Sequence, residues 1–546
     1  MAHIEIRENE IRFETNRKTA DSIGAKYIKD TTYKIPKTIE AVKDLSRMTR
    51  DPGISALLER MKLTRHKLLS IKNHSSYDIP GFEALRPYQR VDLAFLSQLP
   101  HAAIFNQQRT GKSPTLLSLF RYKQFDRMAI IVPSGLKLNW QKEGTEWLPG
   151  IKIFVIKGGS KQREKTYQNA SKYKKFLLIM SYDTLKQEGE INRFLTYIPT
   201  LDGLAVDEAH NMRNRKSQRT KAIHKLGKYA MHRYVLTGTP SVKAGYDVWS
   251  LLHFLYPDKF RSYWDFLDRY FEMKKSPFSP ALQPTGQYIR KEELENLLAL
   301  LGTNRKRKEV MAWLPDKQYT TIPIELTPKQ RKAYTDIAET FEHLDDAGEI
   351  VVDAPSVLAQ MTRLRQVCLA PSILGIKAPS AKEEFLLEWL QDNNEPVIIF
   401  SVFTSYLEDL KKTIETKLKE SVVSINGRMS TKEKQGSVER FQQGASRILL
   451  ANIEAAGTGF TIDKAQTTIF LDKHWNPTVN EQAEDRMVPV SKDRIHKMDV
   501  ISLVAQDSYD EIIDTLLLHK HSITSIINQG GITAMKRLYK EVKNNG

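Results

Sequence analysis

The chain has 546 residues, 40% hydrophobic and 27% charged, which is long enough for several buried cores and excludes a largely disordered protein. Its formal net charge of +18 favours polyanionic partners, nucleic acid first, over a bland basic surface. The single cysteine, Cys368, excludes an internal disulfide and a cysteine-based zinc site, and no apolar run approaches the roughly 20 residues that span a bilayer.

The N-terminal "MAHIEIRENEIRF" is charged and alternating, unlike a signal or transit peptide, so a soluble intracellular protein is expected. Within residues 1–80, "IEIRENEIRFET" alternates like an exposed strand, while "KTIEAVKDLSRM" and "GISALLERMKLTRHKLL" have helical spacing. They predict a small α+β accessory module. Over 81–244 short apolar runs alternate with amphipathic segments: "HAAIF", "MAIIVP", "KIFVI", "FLLIMSY", "LDGLAVDE" and "RYVLTGTP". That alternation predicts a parallel sheet with crossover helices. Residues 245–375 lack such runs and read as mostly helical. The alternation returns over 376–525 in "EPVIIFS", "SVVSING", "SRILLAN", "TTIFLD" and "MDVISLVA", and 526–546 form a basic tail. The fold class is α/β, with two parallel-sheet lobes, a helical region between them and a small module in front.

The stretch "NQQRTGKSPT" (106–115) ends like the phosphate-binding loop G-x-x-x-x-G-K-[ST], with Asn106 in place of its first glycine. Alone, Gly111-Lys112-Ser113 is a weak signal. Its setting strengthens it: a strand precedes it, and a helix follows with Pro114 near the first turn, where proline is tolerated. Strand, loop and helix N-terminus aim backbone N–H groups and the helix dipole at phosphate. Downstream, "LAVDEAHNMRN" places Asp207 and Glu208 directly after an apolar run. Asp207 suits a Mg²⁺ bridging the β- and γ-phosphates of ATP, and Glu208 suits the base that orients the attacking water.

In chain order come "LRPYQRVDLAFL" (85–96), "QQRTGKS" (107–113), "AIIVPSGLKLNWQKE" (129–143), "MSYDTL" (180–185), "VDEAHNMRNRKSQRTKA" (206–222) and "LTGTPS" (236–241). Further on come "MTRLRQVCLAP", "VIIFSVFTSYLEDL", "INGRMSTKEKQGSVERFQQG", "ILLANIEAAGTGFTI" and "IFLDKHWNPTVNEQAEDR". The series resembles the superfamily-two helicases with a DEAH box, specifically the Swi/Snf-type ATPases, in a compact phage or bacterial form. The resemblance implies two RecA-like lobes, ATP and Mg²⁺ as cofactors, and a DNA helicase or translocase. It implies that Gln89, with Arg86 beside it, reads adenine, and that Thr110, Gly111, Lys112 and Ser113 hold the phosphates. Ser113 and Asp207 would hold Mg²⁺. Gly457, Gly459, Gln482 and Arg486 would face the nucleotide from the second lobe, Arg486 as arginine finger. His210 and the segment Thr237, Gly238, Thr239 would couple nucleotide state to movement.

Two positions depart from that pattern: Arg109 stands where the family usually has glycine, and Pro489 where the last motif has its second arginine. Lys492 and Arg494 lie nearby in sequence. DNA contacts are expected at Ser134, Gly158, Ser181 and Tyr182 of the first lobe and at Ser401 and Arg428 of the second, with the basic stretch "LGTNRKRKEVMAW" (301–313) as a further track. "AKYIKDTTYKIPKTIEAVKDL" resembles the HARP-like modules of annealing helicases, which recognise forked or branched DNA. The reading is an ATP-dependent motor on duplex or forked DNA in replication, recombination or repair, in a bacterial cytoplasm or infected host, close to the nucleoid. An RNA helicase of the DEAH type is disfavoured, because neither S-A-T nor a final G-R-x-G-R occurs. A motor subunit of a restriction or defence system, and a nucleotide-gated DNA-binding module with little turnover, stay open.

Overall fold

The fold is taken from a computed structural model, which describes residues 3–7, 9–23, 25–49, 51–238, 248–276, 279–346, 354–456, 460–489, 495–519, 521, 523, 526 and 534–541, without the side chains of 276, 279–281, 340–346 and 354–357. The chain divides into two compact units, Met1–Val310 and Met311–Gly546.

The first unit opens with the expected α+β module. Strands β1 (Ile4–Ile6), β2 (Glu10–Glu14), β3 (Lys26–Lys29) and β4 (Thr32–Pro36) form an antiparallel sheet in the order β1-β2-β4-β3. Alternation decides which face is wet. Ile11, Phe13, Tyr33 and Ile35 point inward, against Ala41, Val42 and Leu45 of helix Ile39–Met48 and Ile54, Leu57 and Leu58 of helix Pro52–Lys72. Both helices start where a side chain satisfies an orphan N–H: Thr38 accepts from Ala41 and Asp51 from Ile54.

Its main sheet is built from β5 (His101–Ile104), β6 (Arg127–Val132), β7 (Lys152–Val155), β8 (Phe176–Ser181), β9 (Leu201–Val206) and β10 (Ala230–Leu236). The strands run parallel in the order β5-β10-β9-β6-β8-β7. Successive residues feed opposite cores: Ala102, Ile104, Met128 and Ile130 on one face, Ala103, Ala129, Ile131 and Leu178 on the other. Both faces are dry, which is why these strands read as continuous apolar runs.

The segment read as mostly helical, 245–375, holds more strand than its composition suggests and divides between the units. Helices Val248–Leu255, Tyr263–Tyr270 and Lys291–Leu301 pack in the first unit with the hairpin of β11 (Phe271–Ser276) and β12 (Ser279–Tyr288). The two-residue β13 (Gly302–Thr303) then adds a seventh, parallel strand beside β5. In the second unit, β14 (Gln318–Ile324) precedes helices Pro328–Asp346 and Ala354–Leu369. β15 (Val397–Ser401), β16 (Val422–Ile425), β17 (Ile448–Asn452), β18 (Thr467–Phe470) and β19 (Asp499–Ala505) complete a six-stranded parallel sheet, ordered β14-β19-β18-β15-β17-β16. The two main sheets are the RecA-like lobes. Among the described residues, no helix is long and apolar enough to cross a membrane.

His101 starts β5, and His224 of helix Gln218–Gly227 packs against His253 of helix Val248–Leu255. Burial, then the Arg233 charge, pushes His101 down to about 3, and burial with the neighbouring His253 pushes His224 down to about 4. Both rings lie below the ordinary histidine value of roughly 6.5, so the unfolded chain takes up protons before the folded one does. The stability they support is complete above that value and drains as pH falls toward the folded values. We expect the thermal midpoint to drop between about pH 6.5 and 4, and to drop less steeply in His224→Asn. A midpoint flat across that window, or unchanged steepness in the variant, would contradict the assignment.

Candidate active site

Residues 105–111 leave the C-terminal end of β5 and enter helix Lys112–Tyr122. Two residues in the left-handed region turn the loop, Arg109 at φ 67° and Gly111 at φ 72°. At 111 only glycine fits, because a Cβ would stand 2.2 Å from the side-chain nitrogen of Gln89. At 109 an arginine accepts a conformation that costs a side-chain-bearing residue roughly 1–2 kcal/mol. The family's usual glycine there has a conformational reason.

The loop is braced by "RPYQR", which starts helix Pro87–Ser97. Gln89 accepts from the Arg86 backbone N–H at 2.8 Å and donates its amide to the Gly111 carbonyl at 3.1 Å. The Tyr88 hydroxyl donates to the Thr110 carbonyl at 2.9 Å, and Thr110, itself buried, donates its hydroxyl to the Gln107 carbonyl at 2.7 Å. Gln89 and Arg86 therefore stand beside the loop as expected. The Tyr88 hydroxyl is used as a strut.

The acid pair follows β9. Asp207 is buried, and its backbone N–H donates to the Ile131 carbonyl at 2.8 Å. One carboxylate oxygen accepts from the Trp140 indole at 2.8 Å, and the other accepts from the Glu208 backbone N–H at 2.9 Å. Burial, then the Glu208 charge, pushes Asp207 up to about 7, while the Lys112 ammonium pulls it back. Glu208 sits at φ 48°, a left-handed turn at the strand end, with His210 Nδ1 3.2 Å from its carboxylate. Gly238 backs the same loop: a Cβ there would lie 3.6 Å from Lys112 Nζ, and Thr237 donates its N–H to the Ile104 carbonyl at 3.1 Å. Thus Gln89, Thr110, Gly111, Lys112, Asp207, Glu208, His210, Thr237 and Gly238 gather at the C-terminal ends of β5, β9 and β10. Ser113 lies in the first turn of the helix after the loop.

These residues fit a Mg²⁺–nucleotide. A hydroxyl and one carboxylate suffice for an ion that keeps several waters and takes its remaining ligands from phosphate. Burial disfavours the charge on Asp207, and a cation beside it would offset that cost.

The expected DNA contacts separate. Ser134 is exposed, its hydroxyl 3.2 Å from Asp183, and Gly158 is exposed at φ 81°, its carbonyl accepting from Arg163 at 2.6 Å. Both lie on the rim beyond β6 and β7. Ser181 and Tyr182 are buried instead. Ser181 caps helix Tyr182–Leu185, and the Tyr182 hydroxyl donates to the carbonyls of Asp207 (2.6 Å) and Glu208 (3.1 Å), so that ring supports the acid pair from behind.

In the second unit Ser401 is also buried, its hydroxyl accepting from the Phe403 N–H at 3.1 Å. Arg428 is exposed and sits 3.2 Å from Glu408. Gln482 lies on helix Pro477–Glu484, and Arg486 in the turn Asp485–Met487 accepts at its carbonyl from Ile462 at 2.9 Å. Lys317 fixes that turn, reaching Glu484 at 3.0 Å and Asp485 at 2.8 Å. Pro489 is buried. Gly457, Gly459, Thr239, Lys492 and Arg494 lie outside the described residues.

Trp140 escaped the motif-by-motif reading because its indole meets Asp207 only across the folded sheet. Trp140→Phe keeps the packing and removes one donor to a buried carboxylate. We expect a loss of about 1–3 kcal/mol in stability, read by denaturant unfolding. An unchanged midpoint would mean that Asp207 is satisfied without it.

Comparison with known proteins follows the same lines. The SNF2-related domain matches residues 33–373, and the helicase conserved C-terminal domain matches 381–488. The candidate ATP-dependent helicase/translocase YwqA of Bacillus subtilis is 26% identical over 503 residues, covering 87% of this chain and 52% of its own. An uncharacterized ATP-dependent helicase of Mycoplasma pneumoniae is 28% identical over 408 residues, 72% of this chain and 36% of its own. The human DNA annealing helicase and endonuclease ZRANB3 is 24% identical over 450 residues, 81% of this chain and 40% of its own. The chain thus spans about half or less of the length of these relatives. With the SNF2-related domain covering well over half of its residues and the helicase C-terminal domain following in order, the chain belongs to the SNF2-related family of ATP-dependent helicases and translocases.

Proposed function

We propose that the protein is a DNA-dependent ATPase that converts ATP hydrolysis into movement along duplex or forked DNA. The observation that carries this is the joining of Lys112, Asp207 and Glu208 at one end of a parallel sheet, with Gly238 close behind the lysine. Lys112 binds the β- and γ-phosphates, and the helix it begins lends its N-terminal dipole. Mg²⁺, held by Ser113 and Asp207, would neutralise charge on the phosphates. Glu208 takes the proton of the attacking water, with His210 Nδ1 3.2 Å from its carboxylate. Thr237 and Gly238 lie against the loop, where a change in phosphate state is felt first and can be passed into the strand end. On the family's pattern Arg486 is the arginine finger, with Gln482 as its neighbour.

DNA as the track rests on the charge of +18, on exposed Ser134, Gly158 and Arg428, and on the family, which includes a relative named a DNA annealing helicase. A motor indifferent to sequence needs contacts to phosphate rather than bases. Strand annealing or branch migration at forks is the role we favour, with residues 1–80 as the module that recognises the junction. One observation favours a second reading, a nucleotide-gated binder with little turnover: Pro489 stands where a second arginine would serve hydrolysis. Glu208 argues against it, because a pure binder needs no base.

Steady-state ATPase with no polymer, single-stranded DNA, duplex DNA, forked DNA and RNA separates these readings. Strong stimulation by duplex or forked DNA is expected; stimulation by RNA alone, or no turnover at all, would overturn the proposal. In the same assay Lys112→Ala should lose tight ATP binding, while Glu208→Gln should bind ATP and not turn it over. Normal ATP affinity in the first variant, or full turnover in the second, would move the site elsewhere. DNA affinity should fall about 10³-fold or more between 50 and 200 mM salt if six or more phosphates are contacted. Salt-insensitive binding would remove the backbone-tracking picture.

A further inference from the structure

Asn106 and the basic stretch 301–313 are not used by the nucleotide chemistry above, yet they meet in the first unit. Asn106 is fully buried; its amide donates to Asp92 at 2.8 Å, and its carbonyl oxygen accepts from the Arg305 backbone N–H at 3.0 Å. Asp92, fully buried on helix Pro87–Ser97, accepts from Arg305 Nε at 2.9 Å and from its terminal nitrogen at 2.8 Å. The backbones are laced together as well. Phe105 N–H donates to the Thr303 carbonyl at 2.8 Å and Gln107 N–H to the Arg305 carbonyl at 2.9 Å, while the Gln107 side chain accepts from the Arg307 N–H at 2.8 Å. Gly302 lets β13 come this close, since a Cβ there would stand 2.3 Å from the Ala103 carbonyl oxygen. Lys72, its ammonium over the Phe95 ring, donates to the carbonyls of Ala299 and Gly302 and so ties the accessory module to the start of the same segment.

We propose that Arg305 and Asp92 are positioning residues for the phosphate loop: segment 302–307 acts as an added strand that clamps residues 105–107 and thereby sets the turn at 109–111 before nucleotide arrives. This rests on reading that loop as the ATP site. The clamp accounts for asparagine where the motif has its first glycine. A glycine would leave the bridge between Asp92 and the Arg305 backbone unmade, whereas Asn106 supplies a donor to one and an acceptor to the other. It also reassigns Arg305, whose side chain is only 22% exposed, from a DNA track to an internal support. Burial pushes the Asp92 carboxyl up, and Arg305 foremost, with Asn106 and Lys72, opposes this; the guanidinium does so with two N–H groups that fork onto one carboxylate oxygen. Lysine, a point charge, does not replace such a fork.

The test uses the full chain without nucleotide, then with a fluorescent ATP analogue, then with duplex DNA at one fixed salt. In Arg305→Met we expect amide hydrogen exchange at 105–107 to rise, ATP-analogue affinity to fall about tenfold or more, as for losses of supporting residues around bound ions, and DNA affinity to stay within about twofold. Arg305→Lys should fall between parent and Met. Unchanged exchange and ATP affinity, with weakened DNA binding, would overturn the clamp and return Arg305 to the track. If Arg305→Met does not fold, Asn106→Ala decides, since it removes only the bridge: unchanged exchange at 105–107 would overturn the proposal. Should the parent bind no nucleotide, the ATP reading fails, while the exchange data still report on the clamp itself.

Discussion

The constraint on which the first unit depends is the burial of carboxylates at the mouth of a dry sheet. Strand β9 is buried from Gly203 to Val206 and Asp207 follows directly, so the acid arrives where water is scarce. A charge there is tolerated only when donors are already in place. Trp140 and the Glu208 N–H supply them, Tyr182 holds the backbone of both acids, and Lys112 supplies the opposing charge. A cation between Asp207 and a phosphate would reverse the cost of that burial, which is why a site so arranged is chemically suited to a metal-bound anion. Asp92, more than a hundred residues earlier, poses the same problem, and Arg305 with Asn106 answers it. In each case a buried acid organises the neighbours that shape the loop.

Much of this was legible in the sequence because it is local. The loop 106–113, the acid pair 207–208 and "RPYQR" each lie within a few residues, and the fold brings them together as the motif order implies. The parallel sheets were legible from continuous apolar runs, since both faces of each strand are covered. What stayed hidden is long-range pairing. Nothing in "LGTNRKRKEVMAW" says that Arg305 turns inward, because a basic stretch looks the same whether it faces solvent or a buried aspartate more than two hundred residues earlier. Likewise "MSYDTL" offered a serine and a tyrosine, and both are buried at the strand-to-helix junction, Ser181 as the helix cap and Tyr182 behind the acid pair. The helical appearance of 245–375 concealed β13 and β14, since a two-residue strand has no periodicity and β14 is polar and largely exposed.

That concealed pair has a mechanical meaning that follows from connectivity alone. β13 closes the edge of the first sheet beside the phosphate loop, and β14 opens the edge of the second. Only residues 304–317 separate them, and that span includes Arg305 at one end and Lys317, which holds the turn carrying Arg486, at the other. The two sheets are thus joined by a segment anchored at each end by an ion pair to a nucleotide motif. Each anchor lies within its own unit, so each end of the segment is fixed locally by a charge that the chain brings from far away in sequence, Asp92 for Arg305 and Glu484 with Asp485 for Lys317.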